Sequence, residues 1–255
     1  MHEGIAGTEK RGQVAHDASF DRALNGCRSL WQGGNRDFQL IETMLWDRTF
    51  RFLSMHLDRI GASAAYFDFP WDRSRFLAHL HESSRSFQPC KQYRVRLLLD
   101  SNGRVTVENQ EYRQSRWVGY IKLSEKRTSS SDIFFRHKTT QRDLYDREYT
   151  EARAIGFDEV LFVNERDEVT EGAISNIFIR KSGKLYTPPL ACGVLPGIFR
   201  RVLLERCRHA HEKILKISDL KSADAVFLCN SIRGVRQVKA LCLDAKLAPE
   251  IAASA

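Results

Sequence analysis

The sequence predicts an α+β fold in two parts, and three observations carry that prediction. Leu53, Leu57, Ile60, Ala64 and Phe67 recur at steps of four and three, the period of a helix with one buried face. Tyr93, Val95, Leu97 and Leu99 alternate with Arg94 and Arg96, the period of a half-buried strand. Ser124–Asp132 (SEKRTSSSD) contains no apolar residue and reads as an interdomain linker. The expected division is an N-terminal extension over 1–36, a small α/β domain over 37–123, a linker over 124–132, and a larger β-rich domain with flanking helices over 133–255.

The elements follow in order. Residues 1–36 are polar and dotted with glycine, with a short helical pattern around Phe20–Trp31, and read as a loosely attached extension. Gln39–Trp46 reads as a strand, Asp47–Thr49 as a turn and Phe50–Phe52 as the return strand of a hairpin. The helix marked by Leu53–Phe67 comes next, with His56 and Arg59 off its apolar stripe. Pro70 closes it, and Asp72 can cap a short helix carrying Phe76, Leu77 and Leu80. After the Tyr93–Leu99 strand, Ser101-Asn102-Gly103 turns into Val105 and Val107, and Trp117–Leu123 supplies another strand. The second part begins with a helix of about Thr140–Ile155 ended by Gly156, then strands at Glu159–Asn164 and Ile177–Arg180, a turn at Lys181-Ser182-Gly183 and a strand at Lys184–Tyr186. Pro188-Pro189 and Gly193 make a loop before a helix starting at Pro196-Gly197. Ser218–Ala223 reads as a short helix, Ala225–Asn230 as a strand, and Val235–Leu243 as one or two more.

Composition narrows the function classes. Forty Lys+Arg against 32 Asp+Glu give +8 and a pI near 9.3, and 42% hydrophobic with 28% charged residues excludes disordered, collagenous and coiled-coil chains. No apolar run approaches the roughly 20 residues of a membrane helix, and residues 1–11 lack a signal-peptide stretch, so a soluble cytoplasmic protein is expected. Cys27, Cys90, Cys192, Cys207, Cys229 and Cys242 form no C-x-x-C pair and have no partnered His spacing. They read as reduced thiols, mostly core, with no metal site. Basic residues such as Arg94, Arg96, Arg113, Arg116, Lys122, Lys126 and Arg127 are spread along the chain without a nucleic-acid signature, so the surplus reads as solubility and attraction to small anions.

Four features of the second part invite chemistry. Lys138 lies between the linker and a helix, where a lysine is ordinarily solvated; beside Arg136, His137 and Arg142 its neutral amine is favoured, as a Schiff-base lysine needs. Val169-Thr170-Glu171-Gly172, followed by Ser175 and Asn176, is either turn chemistry or a buried acceptor with hydrogen-bonding neighbours. Leu195-Pro196-Gly197-Ile198 opens a helix whose first N–H groups can grip an anion. Asn230-Ser231-Ile232-Arg233-Gly234 is a polar cluster directly after an apolar strand.

Taken in order, Lys138, Glu171 with Gly172 and Asn176, Leu195-Pro196-Gly197-Ile198 with Arg200, and Asn230-Ser231 resemble the class IV aminotransferase family of fold-type IV, whose D-amino-acid aminotransferase-like members carry pyridoxal 5'-phosphate. His56-Leu57-Asp58-Arg59-Ile60 looks like that family's H-x-x-R-L element, and the resemblance covers about Phe38–Val238. Leu40-Ile41-Glu42-Thr43-Met44, Ser63–Phe67, His137–Thr140 with Arg142 and Tyr145, and Cys229–Gly234 are similar to the family's aminodeoxychorismate lyase branch. The Gly-rich K-x-x-x-N-Y of branched-chain aminotransferases is missing after Lys138, which counts against transamination. The resemblance implies Lys138 as the cofactor-bearing lysine and acid–base catalyst, with the catalytic carboxylate Glu171 at the pyridine nitrogen. It implies Arg59, Gly197, Ile198 and Ser231 at the phosphate, and Ser175 and Asn176 beside the cofactor. Glu42, Thr43, Arg96 (or Arg94) and Arg233 are then the substrate-side candidates. A homodimer is also implied. Members fused behind an aminodeoxychorismate synthase make residues 1–36 resemble a linker remnant and that synthase a partner. The alternative is an aminotransferase for branched-chain or D-amino acids.

Overall fold

The computed structural model describes residues 37–114, 117 and 119–243; the expected extension with its Phe20–Trp31 helix, Cys27, Arg116 and residues 244–255 lie outside them. Strand β1 (Leu40–Asp47) lies between β2 (Thr49–Phe50) and β3 (Gln92–Leu99), and β4 (Val105–Tyr112) completes an antiparallel four-stranded sheet. The hairpin forms as expected, but its return strand has only two residues. Arg48 and Phe52 sit in the left-handed region, at φ 61° and 56°, so the chain turns at both ends of β2 and enters helix α1 (Leu53–Phe67).

Helix α1 packs its apolar stripe on β1 and β3, around Leu40, Met44, Leu97 and Leu99. His56, Arg59 and Ser63, off that stripe, are buried as well. Two faces of α1 are therefore covered, and the second is polar. Helix α2 (Arg73–Ser84) starts where Asp72 accepts from the backbone N–H groups of Ser74 and Arg75.

The second part is built on a nine-stranded sheet of β5 (Tyr120–Thr128), β6 (Glu159–Asn164), β7 (Val169–Gly172), β8 (Asn176–Lys181), β9 (Lys184–Thr187), β10 (Ala210–Glu212), β11 (Ala225–Asn230), β12 (Gly234–Gln237) and β13 (Ala240–Cys242). Its main path runs β10-β9-β8-β7-β6-β5-β13, with β11 paired to β8 and β12 to β11. Every residue of β6 is buried, so it lies at the centre. Helices α3 (Asp143–Ala154), α4 (Ile198–Arg206) and α5 (Ile217–Lys221) flank the sheet.

The segment read as a linker is corrected. β5 continues to Thr128 alongside β6, with a bulge between Leu123 and Arg127, and its N-terminal half pairs with β6 and β13 rather than with the four-stranded sheet. Ser124, Thr128 and Ser130 are buried, and their hydroxyls donate to Glu148, the Val163 carbonyl and Glu165. Small polar groups enter a core when each finds a partner, and hydropathy scores them as solvent.

The segment that carries Lys138 is stitched to β1 by a backbone seam. Ile41 N–H donates to the Lys138 carbonyl at 2.8 Å and Thr140 N–H to the Gln39 carbonyl at 2.9 Å, with Leu40 and Thr139 bridged antiparallel. That seam fixes Lys138 against β1.

Candidate active site

Lys138 is held from both sides in the chain. Before it, His137 is buried between the rings of Tyr66 and Phe67, with centroids at 4.5 and 4.8 Å, and its Nδ1 meets Ser63 Oγ at 2.9 Å. Burial, helped by Arg136, pushes that imidazole down to about 4, so it stays neutral. After it, Arg142 donates to the Ala173 carbonyl at 2.9 Å and opens α3. The Lys138 ammonium is disfavoured first by burial and then by the charges of Arg142 and Arg59, with Glu42 opposing; the amine is lowered from 10.5 to about 7. A large neutral, nucleophilic fraction of this lysine is then present near physiological pH.

Glu171, at the end of β7, faces this amine through its electrostatics. Tyr145 Oη donates to Glu171 Oε1 at 3.2 Å and Asn176 Nδ2 to Oε2 at 2.8 Å. Desolvation outweighs these bonds and raises the carboxyl to about 8. Asn176 Nδ2 also donates to the Leu195 carbonyl at 3.0 Å, joining the carboxylate to the loop before α4. Gly197 is the N-cap of that helix, and a Cβ there would overlap Asn176 Oδ1, so only glycine permits this approach.

Arg59 reaches the same loop from α1. Its Nη1 donates to the Pro196 carbonyl at 3.1 Å, one residue before Gly197, while Nε and Nη2 donate to Glu42 at 2.8 and 2.7 Å. His56 Nδ1 meets Glu42 Oε2 at 2.6 Å. Burial would raise the Glu42 carboxyl, but Arg59 and His56 hold it down at about 2.

The structure thus brings together Lys138, Glu171, Asn176, Arg59 and the Gly197-Ile198 end of α4. It gives other expected residues different partners. Glu42 spends both oxygens on Arg59 and His56 instead of standing open to a substrate. Alternate strand residues face opposite ways, so Thr43 and its register partner Arg96 lie on the sheet face away from Glu42, and the Arg96 charge still acts on the Lys138 amine. Ser175 Oγ donates to Glu159 Oε2 at 2.9 Å, and Ser231 Oγ to the Thr43 carbonyl at 3.0 Å, tying the β11–β12 turn to β1. Arg233 keeps its backbone N–H on Asn230 Oδ1 and its charge near buried Glu159.

Sequence reading quoted His56 and Tyr145 only as motif residues and Arg142 only as a motif residue and neighbouring cation, gave none of them a role on a named partner, and passed over Glu159. Arg142 and Tyr145 follow Lys138 by four and seven residues, a helical spacing that offered a signal. Glu159, heading the apolar run Val160–Val163, offered another: it is fully buried, and desolvation raises it to about 7. Among the described residues there is no cluster of His, Cys, Asp or Glu suited to a metal ion, and no helix is long and apolar enough to cross a membrane.

Comparison with known proteins matches residues 39–241 to the amino-transferase class IV family. A candidate aminodeoxychorismate lyase of Schizosaccharomyces pombe is 30% identical over 207 residues, covering 77% of this chain and 87% of the relative. The crystal structure of a candidate amino-acid aminotransferase from Mesorhizobium loti superposes with a TM-score of 0.75 at 39% identity, covering 80% of this chain and all of that one. That of a candidate 4-amino-4-deoxychorismate lyase from Legionella pneumophila gives a TM-score of 0.69 at 23% identity, covering 84% and 90%, and shows the shared fold.

Proposed function

The chain belongs to the class IV aminotransferase family of pyridoxal phosphate enzymes, and from that premise we propose a lyase that converts 4-amino-4-deoxychorismate to 4-aminobenzoate and pyruvate. The observation that carries the cofactor site is Lys138, an amine depressed to about 7 and electrostatically coupled to both Glu171 and Arg59. The donor set fits the cofactor group by group. A buried carboxylate, Glu171, suits a pyridine nitrogen; a guanidinium beside a helix N-terminus that admits no Cβ suits a phosphate dianion. When bound, pyridoxal phosphate supplies a carbonyl for an amine and an electron sink.

The chain's own residues do the rest. Lys138 Nζ, unprotonated in a large share of molecules near pH 7, can act as nucleophile toward a carbonyl carbon and as base for the proton on the amine-bearing ring carbon of the substrate. With that proton removed, the neighbouring C–O bond breaks, the ring becomes aromatic, and the enolpyruvyl group takes up a proton to leave as pyruvate. Glu171, braced by Tyr145 and Asn176, would keep a proton on a bound pyridine nitrogen. Arg59 and the N–H groups at Gly197-Ile198 would hold the phosphate. Arg96 and Arg233 offer bidentate sites for the two substrate carboxylates, with Thr43 beside Arg96. A homodimer, a cytoplasmic location and supply of substrate by aminodeoxychorismate synthase belong to the same proposal.

Likeness to the Schizosaccharomyces pombe relative across most of both chains favours the lyase reaction. The Mesorhizobium loti neighbour favours a second reading, transamination of a branched-chain or D-amino acid by the same residues. The deciding experiment supplies aminodeoxychorismate from chorismate with an independent synthase and follows 4-aminobenzoate and pyruvate. Equal release of both supports the lyase. No 4-aminobenzoate from protein that binds the cofactor selects the aminotransferase.

A further inference from the structure

We infer that His56 and Glu42 form a buried pair that positions Arg59, so that His56 governs retention of the cofactor phosphate without touching it. The inference rests on the assignment of the phosphate to Arg59 and the N-terminus of α4.

The geometry is a chain of three charge-assisted bonds ending on a fourth contact. His56 Nδ1 lies 2.6 Å from Glu42 Oε2, the same oxygen that accepts from Arg59 Nη2 at 2.7 Å, while Glu42 Oε1 accepts from Arg59 Nε at 2.8 Å. The guanidinium is gripped along one edge in the bidentate manner. Its remaining end is aimed at the loop before α4, with Nη1 on the Pro196 carbonyl at 3.1 Å. An arginine has five N–H donors, of which these contacts use three; one on Nη1 and one on Nη2 remain for an anion.

His56 has the features of a fixed donor. Glu42 is ionised, so the proton between the two residues belongs to His56 Nδ1, and burial with the nearby charges of Arg59 and Lys138 keeps the ring neutral. Its Nε2 is then a bare lone pair, buried without a hydrogen-bond partner. Leaving a polar atom unpaired in a core costs free energy that an aliphatic side chain would avoid. The return is the 2.6 Å bond that stops the Glu42 carboxylate from rotating away from Arg59.

The test measures the pyridoxal phosphate dissociation constant by absorbance titration, together with the melting temperature of the cofactor-free chain, for the unaltered chain, Arg59→Ala, His56→Leu and His56→Asn. Arg59→Ala and His56→Leu are each expected to weaken binding roughly 10- to 100-fold, the effect of losing a hydrogen bond to a charged group. His56→Asn, whose amide N–H still reaches Glu42, should stay within about threefold of the unaltered chain. Loosening by Arg59→Ala with normal binding by His56→Leu overturns the inference and leaves the phosphate assignment standing. Normal binding by Arg59→Ala overturns that assignment, and the positioning role falls with it. His56→Asn as weak as His56→Leu also overturns it, because the donor would then be irrelevant. Should His56→Leu not fold, Glu42→Gln carries the test: weaker binding is expected, and an unchanged constant overturns the inference.

Discussion

Gly197 and Asn176 interlock: a Cβ on Gly197 would overlap Asn176 Oδ1, so the end of α4 and the amide that braces Glu171 occupy one shared space. The two ends of the proposed cofactor site, nitrogen side and phosphate side, are mechanically coupled through that contact.

Gly197→Ala should therefore damage both ends at once. Overpacking of this kind costs about 1–3 kcal/mol, and the only relief is to push Asn176 off Glu171 or α4 off the loop. Urea unfolding should show that loss, and pyridoxal phosphate binding should weaken as well. Stability and binding both equal to the unaltered chain would mean that the close approach is not maintained in solution.

Lys138→Ala should abolish turnover and remove the visible absorption that a lysine-bound cofactor gives, since this amine would carry the cofactor. Spectra and product analysis on the same sample check this. Retention of both signals by the variant would relocate the site.

The pH dependence follows from the same amine. Lys138 is lowered from 10.5 to about 7, so between those values the unfolded chain binds a proton that the folded chain does not. From this group, the cofactor-free chain gains stability as pH rises across that window. Glu171, raised from 4.5 to about 8, works the other way: the folded chain holds the extra proton, and its contribution is lost as pH rises toward 8. The rate of pyridoxal phosphate capture, followed by stopped-flow absorbance, should climb through about pH 7 and level off above 8. A rate that keeps climbing toward pH 10 would show an ordinary solvated lysine.

Where sequence reading succeeded and failed has a common physical basis. The bounds of Glu159–Asn164 and Ala225–Asn230 and the Asp72 cap were legible because apolar content and local turn chemistry decide them. Ser124–Thr128 was not, because its small polar side chains are satisfied by Glu148 and the β6 backbone, partners distant in sequence. β7 reads as turn residues, since its four residues owe their extended form to neighbours and meet β8 only at Glu171 and Asn176. The order of Lys138, Glu171 and Gly197 along the chain carried the expectation of a site, and the fold brings the three into one neighbourhood through Asn176 and the loop before α4. The pairing of Glu42 with His56 and Arg59 was not legible, because which face of β1 it joins depends on α1 packing those two residues there, a long-range fact.

Glu171 offers the sharpest separation of charge from shape. Glu171→Gln keeps the side-chain volume and one accepting oxygen for Tyr145 or Asn176, but it can no longer ionise. Because burial already penalises the charged form at this position, the substitution should leave the melting temperature within a few degrees. Turnover should fall on the order of 100-fold or more, the range of a lost electrostatic stabiliser. Tyr145→Phe instead removes only the 3.2 Å hydrogen bond to Oε1 and leaves the carboxyl able to ionise. Its expected loss is about tenfold or less, matching roughly 1 kcal/mol for one hydrogen bond. Steady-state kinetics on the two variants, with calorimetry beside them, orders the effects. If Tyr145→Phe proved the more damaging, the phenol itself would be the acting group and Glu171 its support.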